Sequence, residues 1–223
     1  MGARSLLESD GFVVVPGVLP EAQCQVVDWH LVHPGTTPGT RDLLDDGWCA
    51  SVAAVLRSSE SLASVLAGSV AVQCTYFDKS SSVNWLVPIH QDLSIPVQEH
   101  VAHPELRGWA KKEGFIFVQP PPTVLERLVA VRLHLDDSGS DNGPLRVVPG
   151  SHRPGRLPAS EQLALREGKG EVTCAVARGG VVAMKPLLLH ASSKSSNPRP
   201  RRVLHYLYGP RELPFGLRWS RAV

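Results

Sequence analysis

The sequence lacks the features that mark several large classes of protein. Its four cysteines are scattered and form no C-x-x-C pair, which argues against a zinc site and against a disulfide framework. No run of about eighteen apolar residues occurs, so the sequence predicts no membrane-spanning helix. The formal net charge is only +2, and arginines cluster only between positions 199 and 202. Binding to nucleic acid or to an anionic membrane is therefore not expected.

The composition that remains is that of an ordinary globular domain. The chain has 223 residues, of which 43% are hydrophobic and 20% charged, and we expect residues 1–223 to form one domain. The scattered cysteines and the lack of a signal-peptide core near residue 1 favour a reduced, cytoplasmic location. The sequence leaves the oligomeric state open.

A short segment, Pro88–Asp92, contains the first candidate metal ligands. In an extended strand the side chains of His90 and Asp92 point to the same face, so they offer a nitrogen and an oxygen to one point. His190 follows a strongly apolar stretch, 98 positions after Asp92, and could supply a second imidazole. Two histidines and one carboxylate form the facial triad of non-haem Fe(II) oxygenases. The ordinary alternative is a surface histidine beside a solvated aspartate.

Basic and hydroxyl side chains follow the second histidine. Ser192 lies two positions after His190, and three arginines occur at Arg199, Arg201 and Arg202. A guanidinium can hold a carboxylate through two parallel hydrogen bonds, as a dicarboxylic co-substrate requires. The sequence therefore predicts a carboxylate-binding arginine on the strand after His190.

These motifs resemble the phytanoyl-CoA dioxygenase-like family of Fe(II)/2-oxoglutarate-dependent dioxygenases. That family has H-x-D, then a distal His followed by Ser two residues later and Arg eleven residues later, which matches Arg201 and leaves Arg199 and Arg202 as alternatives. The most specific similarity is NGPLRVVPGSH at 142–152, and the opening DGFVVVPGVL at 10–19 is also similar. With Gln73, seventeen residues before His90, the resemblance spans residues 10–208.

The resemblance implies a set of cofactors and a role for each matching residue. Fe(II), 2-oxoglutarate and O₂ are expected, and ascorbate could support activity. The triad would bind the iron and Arg201 the far carboxylate of 2-oxoglutarate, with hydrogen bonds from Gln73, Ser192 and Thr75. The expected reaction is hydroxylation of a small-molecule substrate with release of succinate and CO₂, or another oxidative outcome such as desaturation or ring formation. Two alternatives stay open: a cupin-like metalloenzyme without 2-oxoglutarate, and a non-catalytic binding member of the fold.

Short helices followed by many short strands predict a mainly β, α+β protein. The resemblance makes this a double-stranded β-helix, a cupin-like jelly roll, with N-terminal helices packed on one sheet. We expect a helical part at about 1–68 and a β-helix core at about 69–208. Residues 93–122 show little repeating pattern and are predicted to be a long connecting loop that acts as a lid over the substrate.

Two predicted strands carry polar residues on one face. In the first, the odd positions Ala71, Gln73, Thr75 and Phe77 share a face, which would direct Gln73 and Thr75 into the interior. In the second, the alternation of 128–135 leaves Arg132 and His134 opposite an apolar face. A buried charge needs a partner, so we expect these two residues to meet an anionic or polar substrate or the co-substrate. The alternative is a face that meets solvent or an internal acid.

Overall fold

The computed structural model describes residues 2–32, 36–80, 84–197 and 199–223. Within them, a 3₁₀ turn at Leu43–Asp45 accompanies six helices: α1 Ala3–Ser9, α2 Glu21–Val32, α3 Gly47–Ser58, α4 Glu60–Leu66, α5 Pro122–Leu125 and α6 Ala159–Lys169. The strands are β1 Phe12–Val15, β2 Ser69–Lys79, β3 Val87–His90, β4 Ile95–Val97, β5 Arg107–Lys112, β6 Phe115–Gln119, β7 Val129–His134, β8 Leu145–Val147, β9 Val172–Cys174, β10 Val181–Met184, β11 His190–Ser192 and β12 Arg201–Pro210.

Two antiparallel sheets face each other. The larger has the order β1-β10-β7-β12-β2 and the smaller β3-β11-β8-β9. Apolar residues on the outer face of the larger sheet, such as Val131, Leu133 and Tyr206, form one core with buried side chains of the N-terminal helices. A second core fills the space between the sheets. The predicted helices on one sheet are thus confirmed, although β1 from the N-terminal region joins that sheet.

Residues 93–122 are not the long connecting loop that the sequence predicted. They contain a third sheet of order β4-β6-β5 and the start of α5. Ile95, Val97 and Val118 of this sheet are fully or almost fully buried and join the core between the two larger sheets. The pattern was missed because these strands are short and irregular, with Pro96 in β4 and a register shift in β5.

The face assignment in β2 also needs one correction. Ala71 does not share a face with Gln73, because it packs on the helix side with Cys74 and Tyr76. The pairing with β12 shifts between Leu207 and Tyr208, so that β2 has one extra residue there. Such a bulge reverses the alternation of faces beyond it.

Among the described residues, no single helix is long and apolar enough to cross a membrane. One bent pair, Gly47–Ser58 with Glu60–Leu66, passes the same test of length and composition, with an angle of 91° between its halves. Both halves place buried residues in the core under the larger sheet.

Candidate metal centre and active site

The three predicted metal ligands lie together. His90 and His190 are directly paired across β3 and β11, and their ring centroids are 4.1 Å apart. Asp92 Oδ1 lies 3.6 Å from His90 Nε2, and its Oδ2 lies 3.7 Å from His190 Nε2. Neighbouring ligand atoms bound at about 2.1 Å to one ion are about 3 Å apart, so little closure is needed. Within the described residues, this is the only group of at least three histidine, cysteine or acidic side chains with metal-ligand spacing.

The hydrogen bonds of the two imidazoles favour metal binding. Nδ1 of His90 lies 2.9 Å from the carbonyl oxygen of Pro88, and Nδ1 of His190 lies 2.9 Å from that of Leu188. Each Nδ1–H can donate to its carbonyl, which leaves the Nε2 lone pair facing Asp92. The donor set therefore fits Fe(II), with one carboxylate and two neutral imidazoles.

The pKa values of His190 and Asp92 agree with this assignment, whereas that of His90 is shifted by its contact with Asp92. Burial lowers the pKa of His190 to about 4, despite the attraction of Asp92. Burial also opposes a charge on His90, but the hydrogen bond and charge of Asp92 outweigh it and raise that pKa. For Asp92, burial is outweighed by the two histidines, which lower its pKa well below the ordinary value. The carboxylate is thus ionised, as a metal ligand must be.

Residues between and before the ligands fix their backbone. The side-chain nitrogen of Gln91, Nε2, donates to the carbonyl oxygens of Gly155 at 2.8 Å and Leu187 at 2.7 Å. The side-chain oxygen, Oε1, accepts from the Leu157 N–H. Ser151 Oγ, from the PGSH segment, accepts from Leu189 N–H at 2.8 Å. These bonds connect both ligand-bearing segments to the loop at 151–157, which fixes the backbone positions of the triad.

The triad opens on a cavity of about 450 Å³ between the sheets. Arg201, at the start of β12, lines it and is 3% exposed. Its Nε donates to the carbonyl oxygen of Asn142 at 3.1 Å, while its Nη1 has no partner among the described residues. Burial, together with the charge of Arg132, lowers the pKa of Arg201 to about 10, so it stays cationic at neutral pH.

Lys79 adds a second cation at this end of the cavity. It is the cross-strand partner of Arg201, and its side chain is almost fully buried. Its Nζ donates to Ser192 Oγ at 2.8 Å and to the carbonyl oxygen of Ser193 at 2.6 Å. Burial, with Arg201 and Arg132 nearby, lowers the pKa of Lys79 to about 8.

The NGPL segment packs against this cationic end of the cavity. Gly143 has φ +66° and its carbonyl accepts from Ser192 Oγ at 2.8 Å. A Cβ on Gly143 would come within 2.4 Å of the Ser193 carbonyl oxygen. Only glycine fits both the backbone angle and the space, which explains this part of the motif.

The other two candidate arginines lie elsewhere. Arg202 forms a bidentate pair with Asp136, at 2.9 Å and 2.8 Å, and also contacts Asp28 at 2.8 Å. Arg199 is exposed. Of the three, only Arg201 lines the cavity. Its role as carboxylate ligand stays a prediction, but the geometry favours it.

The remaining predicted residues divide into two groups. Gln73, Thr75, Ser192 and Arg132 line the cavity, and Gln73 Nε2 donates to Thr75 Oγ1 at 2.9 Å. His134 is fully buried and not part of the lining, and neither of its ring nitrogens has a partner among the described residues. Burial lowers the pKa of His134 well below its ordinary value. Arg132 is therefore placed to meet a ligand, whereas His134 is outside the cavity lining.

Lys79 and His205 are among the cavity residues that sequence reasoning missed. Both could have been found from strand alternation: Lys79 continues the series Gln73, Thr75, Phe77, and His205 lies four positions after Arg201. His205 Nδ1 lies 3.0 Å from Arg132 Nη1, and burial lowers the pKa of His205 to about 3.

Solved structures with this fold come from several oxygenase-like enzymes. HygX from Streptomyces hygroscopicus, solved with nickel and 2-oxoglutarate bound, is 16% identical, with a TM-score of 0.65 over 93% of this chain and 85% of HygX. AviO1 from Streptomyces viridochromogenes is 22% identical, with a TM-score of 0.62 over 95% of each chain. The non-heme alpha ketoglutarate dependent carbocyclase SnoK from nogalamycin biosynthesis is 14% identical, with a TM-score of 0.69 over 94% of this chain and 83% of SnoK.

These similarities confirm the predicted fold: facing antiparallel sheets of the cupin-like type, with no closed barrel among the described residues. No curated protein sequence matches the chain significantly. The sequence profile of the family described as phytanoyl-CoA dioxygenase (PhyH) matches residues 7–203. Because that match covers most of the 223 residues, the chain belongs to the PhyH family.

Proposed function

We propose that the protein hydroxylates an unactivated C–H bond of a small metabolite, using Fe(II), 2-oxoglutarate and O₂ and releasing succinate and CO₂. Membership of the family makes it a non-haem iron enzyme that depends on 2-oxoglutarate. The observation that carries the proposal is the meeting of His90, Asp92 and His190 beside a cavity that also contains Arg201. Three ligands leave coordination positions for a co-substrate and an oxidant.

Each side chain has a separate task in this proposal. His90, Asp92 and His190 would hold the iron, which supplies the oxidising power when bound with O₂. Arg201 and Lys79 would hold the far carboxylate of 2-oxoglutarate, and Ser192 Oγ can join them because it lies 2.8 Å from Lys79 Nζ.

Further hydrogen bonds and a cover complete the proposed site. Gln73 and Thr75 would bond to the co-substrate from β2. Leu93, Ile95 and Phe117 line the cavity, so we propose that the 93–122 segment covers the substrate and restricts water.

The proposed setting is the cytoplasm, with a small-molecule substrate. All four cysteines are free and buried, as a reducing compartment allows. The charge pattern gives no sign of a nucleic-acid or membrane partner. Desaturation and ring closure use the same co-substrate chemistry and would also release succinate.

A succinate-release screen tests the proposal. Purified protein with Fe(II), 2-oxoglutarate and ascorbate is offered a metabolite panel in air, and each product is examined by mass spectrometry for one added oxygen atom. Asp92→Ala and Arg201→Ala should reduce succinate release at least about 100-fold, since each removes a charged contact. His30→Ala is the matched control, because His30 stacks on Trp48 outside both the cavity lining and the 93–122 segment.

The outcomes separate the open alternatives. Turnover that survives in Arg201→Ala would indicate a metalloenzyme that does not use 2-oxoglutarate. Metal binding without succinate release for any metabolite would indicate a non-catalytic member of the family. Substrate-dependent succinate release with loss of two hydrogen atoms instead of a gain of oxygen would replace hydroxylation by desaturation or ring closure.

A further inference from the structure

The charge of the cavity is unbalanced. Among the described lining residues, Asp92 is the one acid, and it belongs to the proposed metal site. The basic lining residues number five: Arg41, Lys79, Lys112, Arg132 and Arg201. Arg41 forms an ion pair with Glu113, whereas the three buried cations have no ion-pair partner among the described residues. Arg201 and Lys79 are accounted for by the far carboxylate of 2-oxoglutarate, but Arg132 is not.

The surroundings of the Arg132 guanidinium are those of an anion-binding residue. Its side chain is 8% exposed, and its Nη1 lies 3.0 Å from His205 Nδ1. Because burial keeps His205 neutral, Nδ1 accepts from the guanidinium and the imidazole proton is on Nε2. The guanidinium also lies over the ring of Phe77, 5.5 Å from its centroid, while its Nε has no partner among the described residues. Asp92 of the metal site attracts this charge from beyond ion-pair distance, and a buried charge without a direct acidic partner is costly unless a ligand supplies one.

The strand register separates Arg132 from the co-substrate's far carboxylate. Arg132 and His205 are paired across β7 and β12, whereas Arg201 pairs with Lys79 at the start of β12. His205 and Arg201 are four residues apart on one strand, which is about 13 Å between their Cα atoms. A five-carbon co-substrate whose far carboxylate binds Arg201 has its other end on the metal. That leaves the charge of Arg132 to a second molecule or to the metal-bound end of the co-substrate, which the 2-oxoglutarate affinity of an Arg132 variant distinguishes.

An apolar wall lies on the other side of Arg132. The next positions along the sheet are Ala130 and Leu207, which belong to the apolar core between the sheets. Leu93, Ile95 and Phe117 from the 93–122 segment line the same cavity. A molecule that fits both features has an anionic group and an apolar body.

We propose that the substrate is a small amphipathic acid, whose carboxylate or phosphate binds Arg132 and whose apolar body packs against the wall formed by Leu93, Ile95, Phe117 and Leu207. This inference rests on the proposed iron and 2-oxoglutarate chemistry. Arg132 acts as the specificity-determining residue, and His205 orients its guanidinium. The anionic group is thereby fixed about four residues along the sheet from the co-substrate's far carboxylate.

Binding of matched anionic and neutral probes tests the inference. The protein is loaded with Ni(II), which does not support turnover, and with saturating 2-oxoglutarate, then titrated calorimetrically. One pair is 3-phenylpropanoate and 3-phenylpropanamide, and the other is benzyl phosphate and benzyl alcohol. We expect at least one anion to bind roughly ten- to hundred-fold more tightly than its neutral partner. The pair that shows the preference identifies the anion as carboxylate or phosphate.

Variants then test whether Arg132 causes the preference for the anionic probe. Arg132→Gln should abolish it, Arg132→Lys should retain part of it, and both should bind 2-oxoglutarate within about two-fold of the wild type. Arg127→Gln is the control, because Arg127 is an exposed guanidinium near the start of β7.

Two results would overturn the inference: no anion preference in the wild-type protein, or a loss in Arg132→Gln of 2-oxoglutarate affinity instead of anion preference. Failure of the wild-type protein to bind Ni(II) and 2-oxoglutarate at all would refute the proposed function itself.

Discussion

Replacing Lys79 with methionine should separate co-substrate binding from fold stability. Lys79 is 1% exposed and lies opposite Arg201 across β2 and β12. Without a bound anion, its ammonium is held by Ser192 Oγ and the Ser193 carbonyl, and no carboxylate lies within ion-pair distance among the described residues. Methionine keeps most of the volume and removes the charge. The two effects of the change should therefore have opposite signs.

The pKa of Lys79 sets the expected size of the stability effect. Burial and the charges of Arg201 and Arg132 lower it from 10.5 to about 8. This shift corresponds to about 3 kcal/mol against the charged form at pH 7. The two hydrogen bonds of the ammonium offset part of this penalty, by about 1–3 kcal/mol together. We therefore expect Lys79→Met to leave the free energy of unfolding of the ligand-free protein unchanged or to raise it by up to about 2 kcal/mol.

Binding of 2-oxoglutarate should respond more strongly. Loss of one charge-assisted hydrogen bond to a carboxylate costs about 1.5–3 kcal/mol, or roughly ten- to 150-fold in dissociation constant. The affinity of the wild-type protein for 2-oxoglutarate should also fall by at most about ten-fold per pH unit as the pH rises through about 8. The cause is that the Lys79 ammonium loses its proton. Stability changes in the other direction: the folded-state pKa is the lower one, so this group's contribution to stability rises between pH 8 and 10.5.

Calorimetric titration of Ni(II)-loaded protein with 2-oxoglutarate between pH 6.5 and 9.5 measures the affinity, and denaturant unfolding measures the stability. Lys194→Met, at an exposed lysine, should leave both unchanged. An unchanged dissociation constant in Lys79→Met, combined with a loss of several kcal/mol in stability, would show that Lys79 is a structural residue and that the reasoning is wrong. The pH dependence above 8 should also disappear in this variant.

Three further predictions concern residues around the site. Arg202→Gln should leave 2-oxoglutarate affinity unchanged in titration but lower the free energy of unfolding by about 1–3 kcal/mol, because it leaves the partly buried Asp136 without its bidentate partner. Gly143→Ala should lower both 2-oxoglutarate affinity and melting temperature, since its Cβ would meet the Ser193 carbonyl oxygen at 2.4 Å. Leu204→Ala, in the core under the helices, should cost about 2–5 kcal/mol in denaturant unfolding with metal affinity retained.

Strand alternation predicted much of the fold and most of the site. Arg132 faces the cavity, while Val131 and Leu133 face the helices, as the period of two requires. The same rule placed Gln73 and Thr75 inside. It was reliable because these strands are long and each face meets a different environment.

Strand alternation failed as a guide where the strands are irregular. The bulge in β2 reversed the face of Ala71, and a bulge has no clear signature in the sequence. In the 93–122 segment, Pro96 and the shifted register in β5 hid three short strands. The apolar wall of the cavity was therefore invisible before the structure, and with it the amphipathic character of the proposed substrate.

Two directly opposed cross-strand pairs define the ends of the cavity, one on each sheet. His90 pairs with His190 on the smaller sheet, and Lys79 pairs with Arg201 on the larger one. A shift of either register by one residue would turn one member of the pair to the opposite face, so each end depends on its own ladder. The metal end was recognisable because the motifs that follow His190 and the NGPLRVVPGSH segment resemble those of a known family, whereas the His-x-Asp spacing alone is a weak signal. At the cationic end, Arg201 was predicted but Lys79 was not. A lysine at the end of a strand is usually a surface residue, and only the pairing of β2 with β12 shows that Lys79 is buried.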